Sequence, residues 1–390
     1  MKIFRFSGAS AISLLLCCAL MIALLPLPIQ STGSATTAEG LSARSAILID
    51  ADELTVLCEK NSRNRMGEAS TTKIMTALVA AEAMPLDKRI KIPPGAVGIE
   101  GSSVYLCEGE ILTVRELLLA LLLASANDAA TALALSCAGS VESFAQKMND
   151  RARALGLSDT NFKNPHGLFD TEHYTTAHDL ALISAEALKN PSLREIFSTK
   201  NATIPLGVTE DCPNGEGERY LKNHNRLLSL YKGAIGVKTG FTKKTGRCLV
   251  SAAERDGMTL IAVTLNAPDD WRDHTALLDY GFENYERVTL YSAGEFSYQY
   301  PVSGGCEQFV CATNAQPLTL TRKKSEQACS VSVEFPQRFE IAPIAANTTL
   351  GTLYVHVGDL TLSSALVAAH AVDSQTRTKS KKSNKFFIQD

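Results

Sequence analysis

Aromatic side chains are scarce in this chain: its 390 residues carry a single tryptophan and 6% aromatics. No stretch interleaves aromatics with a basic stripe, and 38 Lys and Arg against 41 Asp and Glu leave a slightly acidic balance. Nucleic acid is therefore not an expected partner. The ten cysteines include no Cys-x-x-Cys pair, and the seven histidines form neither HExxH nor a Cys/His finger spacing. No metal and no cofactor are expected from them. After the N-terminal segment no run of transmembrane length recurs, which removes the signalling helix that a membrane-bound sensor would need.

What is present begins with a targeting segment. Lys2 and Arg5 precede an apolar stretch from Ala11 to Leu27, and small residues follow in STGSATTAEG. Residues 1–38 read as a secretory signal with cleavage near Ser34 to Ala38, an uncleaved anchor being the runner-up. Cys17 lies inside the apolar stretch rather than at its end, against a lipoprotein. The chain is expected to be exported, to the extracellular face of the cytoplasmic membrane or the cell wall. Export permits disulfides, but the remaining cysteine spacings form no recognisable framework.

Three short motifs carry the chemistry: Ser70-Thr71-Thr72-Lys73, Ser125-Ala126-Asn127 and Lys238-Thr239-Gly240. At ordinary Ser and Lys abundance a chain of this length shows roughly one Ser-x-x-Lys by accident, so the weight lies in the conjunction and order. STTKIMTALVAAEAM reads as a buried helix starting at the serine, and three residues are about one turn, which puts Lys73 on the face of Ser70. A serine hydroxyl needs a neighbouring base, and a lysine serves only when neutral. Lys238 could supply the charge that lowers its pKa. Ser125 and Asn127 sit between two intensely apolar helices, TVRELLLALLLA and DAATALALS. Alone they would read as a helix cap. Beside the other motifs, Ser125 can relay a proton and Asn127 can orient Lys73 and the substrate amide. Lys238-Thr239-Gly240 ends a β-rich run in which the glycine admits a second backbone at close range, which suits a substrate lying along the strand edge.

These motifs, with EASTTKIMTALVA, LLLASANDAA, NPHGLFD, HYTTAHDLALIS, NHNRLL, GVKTGFT and LVSAAERDGMTLIAVTLNAP, give a likeness running from about Ser42 to Tyr285. The chain resembles the low-molecular-mass penicillin-binding proteins that act as serine-type D-alanyl-D-alanine carboxypeptidases, peptidase family S11, and among them the Firmicutes branch. The resemblance implies that Ser70 is the acylated nucleophile, Lys73 its base and Ser125 the proton relay. It also implies that Asn127, Lys238 and Thr239 hold the substrate, and that the backbone amides of Ser70 and of Phe241, after Gly240, form the oxyanion hole. The implied partners are peptidoglycan pentapeptide stems, with β-lactam antibiotics as covalent inhibitors. Arg272, in DDWRDH, is the nearest counterpart of an arginine that some relatives use on the carboxylate, and it stays outside this site. His166 reads as structural.

A class A β-lactamase would need an ExxLN loop between the second and third motifs and an aspartate where Ala126 stands, and neither is present. A transpeptidase passing the acyl group to an amine remains open on the motifs alone. A non-catalytic penicillin-sensing or peptidoglycan-binding module is disfavoured by the intact nucleophile, base and relay.

SAILIDADELTVLCEK reads as a hairpin. Helical patterns cover Thr72 to Ala83, Val114 to Ser136, Val141 to Leu155 and Ala177 to Leu188, with Gly156 and Pro191 as stops. Strands follow at Gly236 to Thr239, Cys248 to Glu254 and Met258 to Asn266, and a helix runs from about Trp271 to Tyr285. Strands at both ends of a helical middle predict an α+β domain, a mostly antiparallel sheet packed with helices; the resemblance names it the β-lactamase/transpeptidase fold. Residues 39–286 are assigned to it, and short alternating runs such as SVSVEF assign 287–373 to a small all-β sandwich. The basic tail 374–390 reads as a disordered, solvated end, with peripheral contact to anionic lipid as the alternative.

Overall fold

A computed structural model describes residues 36–37, 40–207, 209, 217–326, 328–358 and 360–375. The expected signal, apart from Thr36–Thr37, and the basic tail beyond Gln375 lie outside the described residues. Among the described residues no helix is long and apolar enough to cross a membrane.

The run SAILID has no exposed position because its strand, β1 (Ser45–Asp50), is covered on both faces: all six residues are buried. It pairs with β2 (Val56–Lys60) as the expected hairpin. β3 (Ala234–Thr242), β4 (Gly246–Arg255) and β5 (Met258–Leu265) complete the sheet in the order Thr36–Thr37, β2, β1, β5, β4, β3. Every pairing is antiparallel except that of Thr36–Thr37 with β2. The two ends of the domain meet in register at Ile47 and Val263. β3, which carries the third motif, is an edge strand, paired among the described residues with β4 alone.

One face of the sheet is buried under α1 (Lys73–Ala83), α2 (Val114–Leu123), α3 (Asn127–Ala138), α4 (Val141–Ala154), α5 (Ala177–Lys189) and α6 (Pro191–Ser198). The other is covered by α7 (Asp270–Asn284), whose Leu277 and Leu278 pack with Leu48, Leu249 and Leu260. Two departures from the sequence reading are local. Pro191 does follow the end of α5 but also opens α6. As the first helical residue it needs no N–H partner, and Asn190 caps the new helix by accepting from the N–H groups of Ser192 and Leu193. A second hairpin, Asn201–Pro205 with Glu218–Lys222, follows it.

Beyond α7 lie β6 (Tyr285–Tyr291), β7 (Ser297–Ser303), β8 (Phe309–Asn314), β9 (Leu318–Lys323), β10 (Cys329–Glu334), β11 (Thr349–Val357) and β12 (Leu360–Ala368). One sheet runs β10-β11-β12-β8-β7 and ends on the short strand Glu340–Ile341; β6 and β9 form the other. They enclose Tyr300, Val310, Leu320, Leu353, Val355 and Leu366. The molecule is thus an α+β domain followed by a small β-sandwich.

Candidate active site

Ser70 sits in a 3-10 turn, Ala69–Thr72, immediately before α1, so the α-helix proper begins at Lys73 and not at the serine. Ala69 takes the left-handed conformation, φ 48°, that a non-glycine residue adopts at a cost. The turn is clamped from two sides. β3 presses on it at Gly240, where a Cβ would lie 2.9 Å from the Glu68 carbonyl oxygen and 3.1 Å from the Ser70 nitrogen. The NPHGLFD loop presses at Gly167, where a Cβ would lie 1.9 Å from the Ala69 oxygen. Glycine is the residue that allows both approaches.

Lys73 is 0% exposed, and its Nζ lies 2.9 Å from Ser70 Oγ, 2.6 Å from Asn127 Oδ1 and 2.8 Å from the His166 carbonyl oxygen. The last two are acceptors and take two N–H bonds. The Asn127 amide is fixed in this orientation because its Nδ2 donates to the Glu100 carbonyl at 2.6 Å. A neutral lysine amine has two N–H bonds and one lone pair, so with both donors committed the lone pair faces Ser70. Burial, then the neighbouring charge of Lys238, push the Lys73 ammonium well below its usual pKa, with Asp128 opposing.

Ser125 and Asn127 lie where α2 gives way to α3. Ala126, not either polar residue, is the N-cap of α3 and no side chain caps it, so the helix-cap reading does not describe this tripeptide. Ser125 is held at φ 60° with its side chain on a cleft of about 420 Å³. Ser70, Thr239, Gly240 and Phe241 line the same cleft, and Phe241 is 63% exposed. Lys238, two residues before Gly240 and on the same face of β3, is 1% exposed and does not line the cleft. Its Nζ donates to the Thr239 carbonyl at 2.9 Å, and burial pushes its pKa down to about 7. The sequence-predicted residues therefore converge: Ser70, Ser125, Thr239, Gly240 and Phe241 line the cleft, with Lys73, Asn127 and Lys238 buried beneath it.

A family model for D-alanyl-D-alanine carboxypeptidases matches residues 32–269. The chain belongs to that family. Its sheet domain, residues 285–374, matches the C-terminal domain of penicillin-binding protein 5. Over 351 residues the chain is 35% identical to the D-alanyl-D-alanine carboxypeptidase DacF of Bacillus subtilis, covering 87% of this chain and 88% of the relative. It is similar in structure to penicillin binding protein 5 of Haemophilus influenzae, with a TM-score of 0.71 at 27% identity over 86% of this chain and 98% of that one. The DD-transpeptidase of Streptomyces K15, in one mutant form, aligns at 36% identity and a TM-score of 0.59, over 62% of this chain and 98% of that one. As a member of this carboxypeptidase family the chain is a serine-type peptidase, a hydrolase with the penicillin-binding, peptidoglycan-directed character of the group, on the β-lactamase/transpeptidase fold.

The carboxypeptidase cleft also holds residues that the motifs did not indicate. Arg226 and Arg247 flank Trp271, their guanidinium carbons 5.9 and 5.7 Å from its ring centroid. Arg247 is tied to Asp270 by two bonds of 3.0 and 2.8 Å, while Arg226 has no carboxylate partner among the described residues. Arg272, the candidate from the sequence, is exposed on α7 and does not line the cleft, although Asp270 and Trp271 beside it do. The signal that would have found the other two is weak: Arg226 lies in NHNRLL and Arg247 follows the third motif, but neither has a spacing that marks it. His166 contributes its backbone carbonyl, and burial with the charge of Lys73 holds its imidazole down to about 3, in the neutral form.

Proposed function

We propose that the chain is an exported serine-type D-alanyl-D-alanine carboxypeptidase that removes the terminal D-alanine from peptidoglycan pentapeptide stems through a Ser70 acyl-enzyme, and that penicillin acylates the same serine. The observation that carries this reading is the buried Lys73 amine, 2.9 Å from Ser70 Oγ with both its N–H bonds directed to carbonyl oxygens. In this mechanism Ser70 Oγ attacks the carbonyl carbon of the scissile amide as its proton moves to Lys73. The backbone amides of Ser70 and Phe241 receive the oxyanion. Ser125 passes the proton to the departing D-alanine nitrogen, and water then cleaves the ester with Lys73 again as base. Asn127 and Thr239 orient the peptide. Its terminal carboxylate binds in the field of Lys238, against Thr239 and Arg226.

The assignment of 39–286 to catalysis, 287–373 to an accessory β-sandwich and 1–38 to export belongs to the same proposal. It is tested with Ser70→Ala in the full chain. Fluorescent penicillin labelling and release of D-alanine from a pentapeptide ending in D-Ala-D-Ala should both vanish while the circular dichroism spectrum is unchanged. Stable acylation of any other serine would overturn it. Transfer of the acyl group to an added amine, in place of hydrolysis, would favour the transpeptidase reading.

A further inference from the structure

The turn bearing Ser70 separates two clefts. One, described above, holds Ser70 itself. The other, about 680 Å³, is lined by Arg44, Arg65, Phe169, Asp170, Tyr174 and Lys244 among others. Gly67 packs tightly on the β3–β4 turn in this lining, since a Cβ there would lie 2.7 Å from the Thr245 Cγ2.

Strand geometry directs a substrate there. Among the described residues β3 has one edge without a strand partner, and a peptide added antiparallel along it runs opposite to the chain direction of β3. With its terminal carboxylate at Lys238 and Thr239 and its scissile carbonyl at Gly240 beside Ser70, the residues upstream must pass Phe241 and Thr242. They then reach the β3–β4 turn that contains Lys244 and Thr245, and the second cleft opens at that turn.

The chemistry of the lining selects for negative charge. Lys244 Nζ lies 3.7 Å over the ring of Phe169, which is 51% exposed, and the Arg65 guanidinium lies 4.9 Å over Tyr174. Arg65 is committed to Asp159 at 2.8 Å, but Arg44 and Lys244 have no carboxylate partner among the described residues. The one acid among the described lining residues, Asp170, already accepts from the Glu172 N–H at 2.7 Å.

We propose that this cleft is an acyl-side subsite for substrate residues that bear a free carboxylate upstream of the D-Ala-D-Ala terminus, with Lys244 and Arg44 as its specificity-determining cations. The inference rests on the Ser70 reading and deepens it.

The test uses the full chain and matched peptides ending in D-Ala-D-Ala, with glutamate or glutamine in turn at the first, second and third positions before that pair. At one position at least, the glutamate peptide should show a kcat/KM about fivefold higher, the scale of one or two partly exposed ion pairs, and the advantage should shrink in high salt. The double variant Lys244→Ala/Arg44→Ala should lose this advantage while hydrolysing the glutamine peptide within about twofold of the wild type, as expected of a change confined to one charge contact. Lys244→Glu should reverse it. Normal penicillin labelling of both variants would show that the fold and the Ser70 site are intact. An enzyme that is labelled but handles glutamate and glutamine alike at all three positions, or a double variant that keeps the preference, overturns the subsite alone. A wild-type protein neither labelled by penicillin nor active on any peptide overturns the Ser70 reading and the subsite with it.

Discussion

Two lysines buried under one cleft cannot both carry a full charge cheaply, and the consequences can be followed with pH. Lys73 acts as a base only when neutral, so kcat/KM should rise with pH as it loses its proton, on a limb well below the ordinary lysine range because burial and Lys238 lower its pKa. Lys73→Ala should remove that limb and slow penicillin acylation by on the order of a hundredfold or more; a variant that acylates near the normal rate would move the base role elsewhere. Lys238, pushed down to about 7 by burial, loses its charge in the free enzyme as pH climbs past that value. KM for a free-acid peptide should therefore rise above about pH 7, whereas the C-terminally amidated peptide, a poor substrate throughout, should show no such rise. Lys238→Ala and Arg226→Ala are distinguished by the same pair. Each should weaken the free acid selectively, Arg226→Ala by roughly 1.5–3 kcal/mol for a lost charge-assisted hydrogen bond and Lys238→Ala by less, because it acts through its field from beneath the cleft. If Lys238→Ala slows both peptides equally, carboxylate recognition belongs to Arg226 alone. There is a stability consequence too. A lysine whose pKa is lower folded than unfolded binds fewer protons in the native state, so stability rises with pH between about 7 and the usual lysine value. Lys238→Met should accordingly stabilise the protein at neutral pH, on the order of a few kcal/mol by urea denaturation, while costing carboxylate binding.

The elements bring these residues together through backbone contacts that side-chain patterns do not encode. Gly240 and Gly167 are the clearest cases. Gly240→Ala would place a methyl 2.9–3.1 Å from the Ser70 turn, which must shift by a few tenths of an ångström. Acylation should fall at least about tenfold, a displacement of that size at the nucleophile being enough, and stability should fall with it because the atoms met are backbone. Gly167→Ala meets both a backbone oxygen at 1.9 Å and a φ of 81°, so it should lower the thermal midpoint as well as the activity. If instead it left both unchanged, the NPHGLFD loop would not be holding the turn. The strands and long helices could be read from the sequence because their apolar periodicity is local, and the motifs because nucleophile and base share one helical turn. α6 escaped because its opening proline reads as a stop, although at the first helical position it is compatible with the helix. Arg226 and Arg247 escaped for a different reason. A lone arginine is ordinarily a surface residue, and only the approach of Trp271 and Asp270 from α7 turns these two into cleft residues.

At the scale of the molecule, the two domains are joined by more than the chain running from α7 into β6. The end of β1 and the turn after it carry Asp50, Asp52 and Glu53, and the sandwich answers with Arg287 on β6 and Thr321 on β9. Arg287 Nη1 lies 3.0 Å from both Asp52 and Glu53, the Thr321 hydroxyl donates to Asp50 at 2.8 Å, and its N–H donates to Glu53 at 2.9 Å. Asp50 is wholly buried, and burial together with Asp50 raises the Glu53 carboxyl while Arg287 lowers it. Removing the arginine would leave carboxylates crowded at the junction with no cation, a loss greater than that of an exposed pair. Arg287→Ala should therefore destabilise the full chain by about 1–3 kcal/mol, between the scale of an exposed ion pair and that of a fully buried one. Because Arg287 lowers the Glu53 pKa, the loss should lessen as the pH falls and Glu53 takes up a proton. The β1–β2 turn lines neither the Ser70 cleft nor the cleft beside it, so kcat/KM for D-alanine release at a temperature well below unfolding should stay within about twofold, as for a substitution remote from the chemistry. Differential scanning calorimetry and peptide hydrolysis on the same preparation separate the two effects. Unchanged stability would mean that Arg287 adds nothing to the junction and that the Thr321 bonds to Asp50 and Glu53 hold it, whereas lost activity at unchanged stability would mean that the sandwich acts on the cleft through this junction.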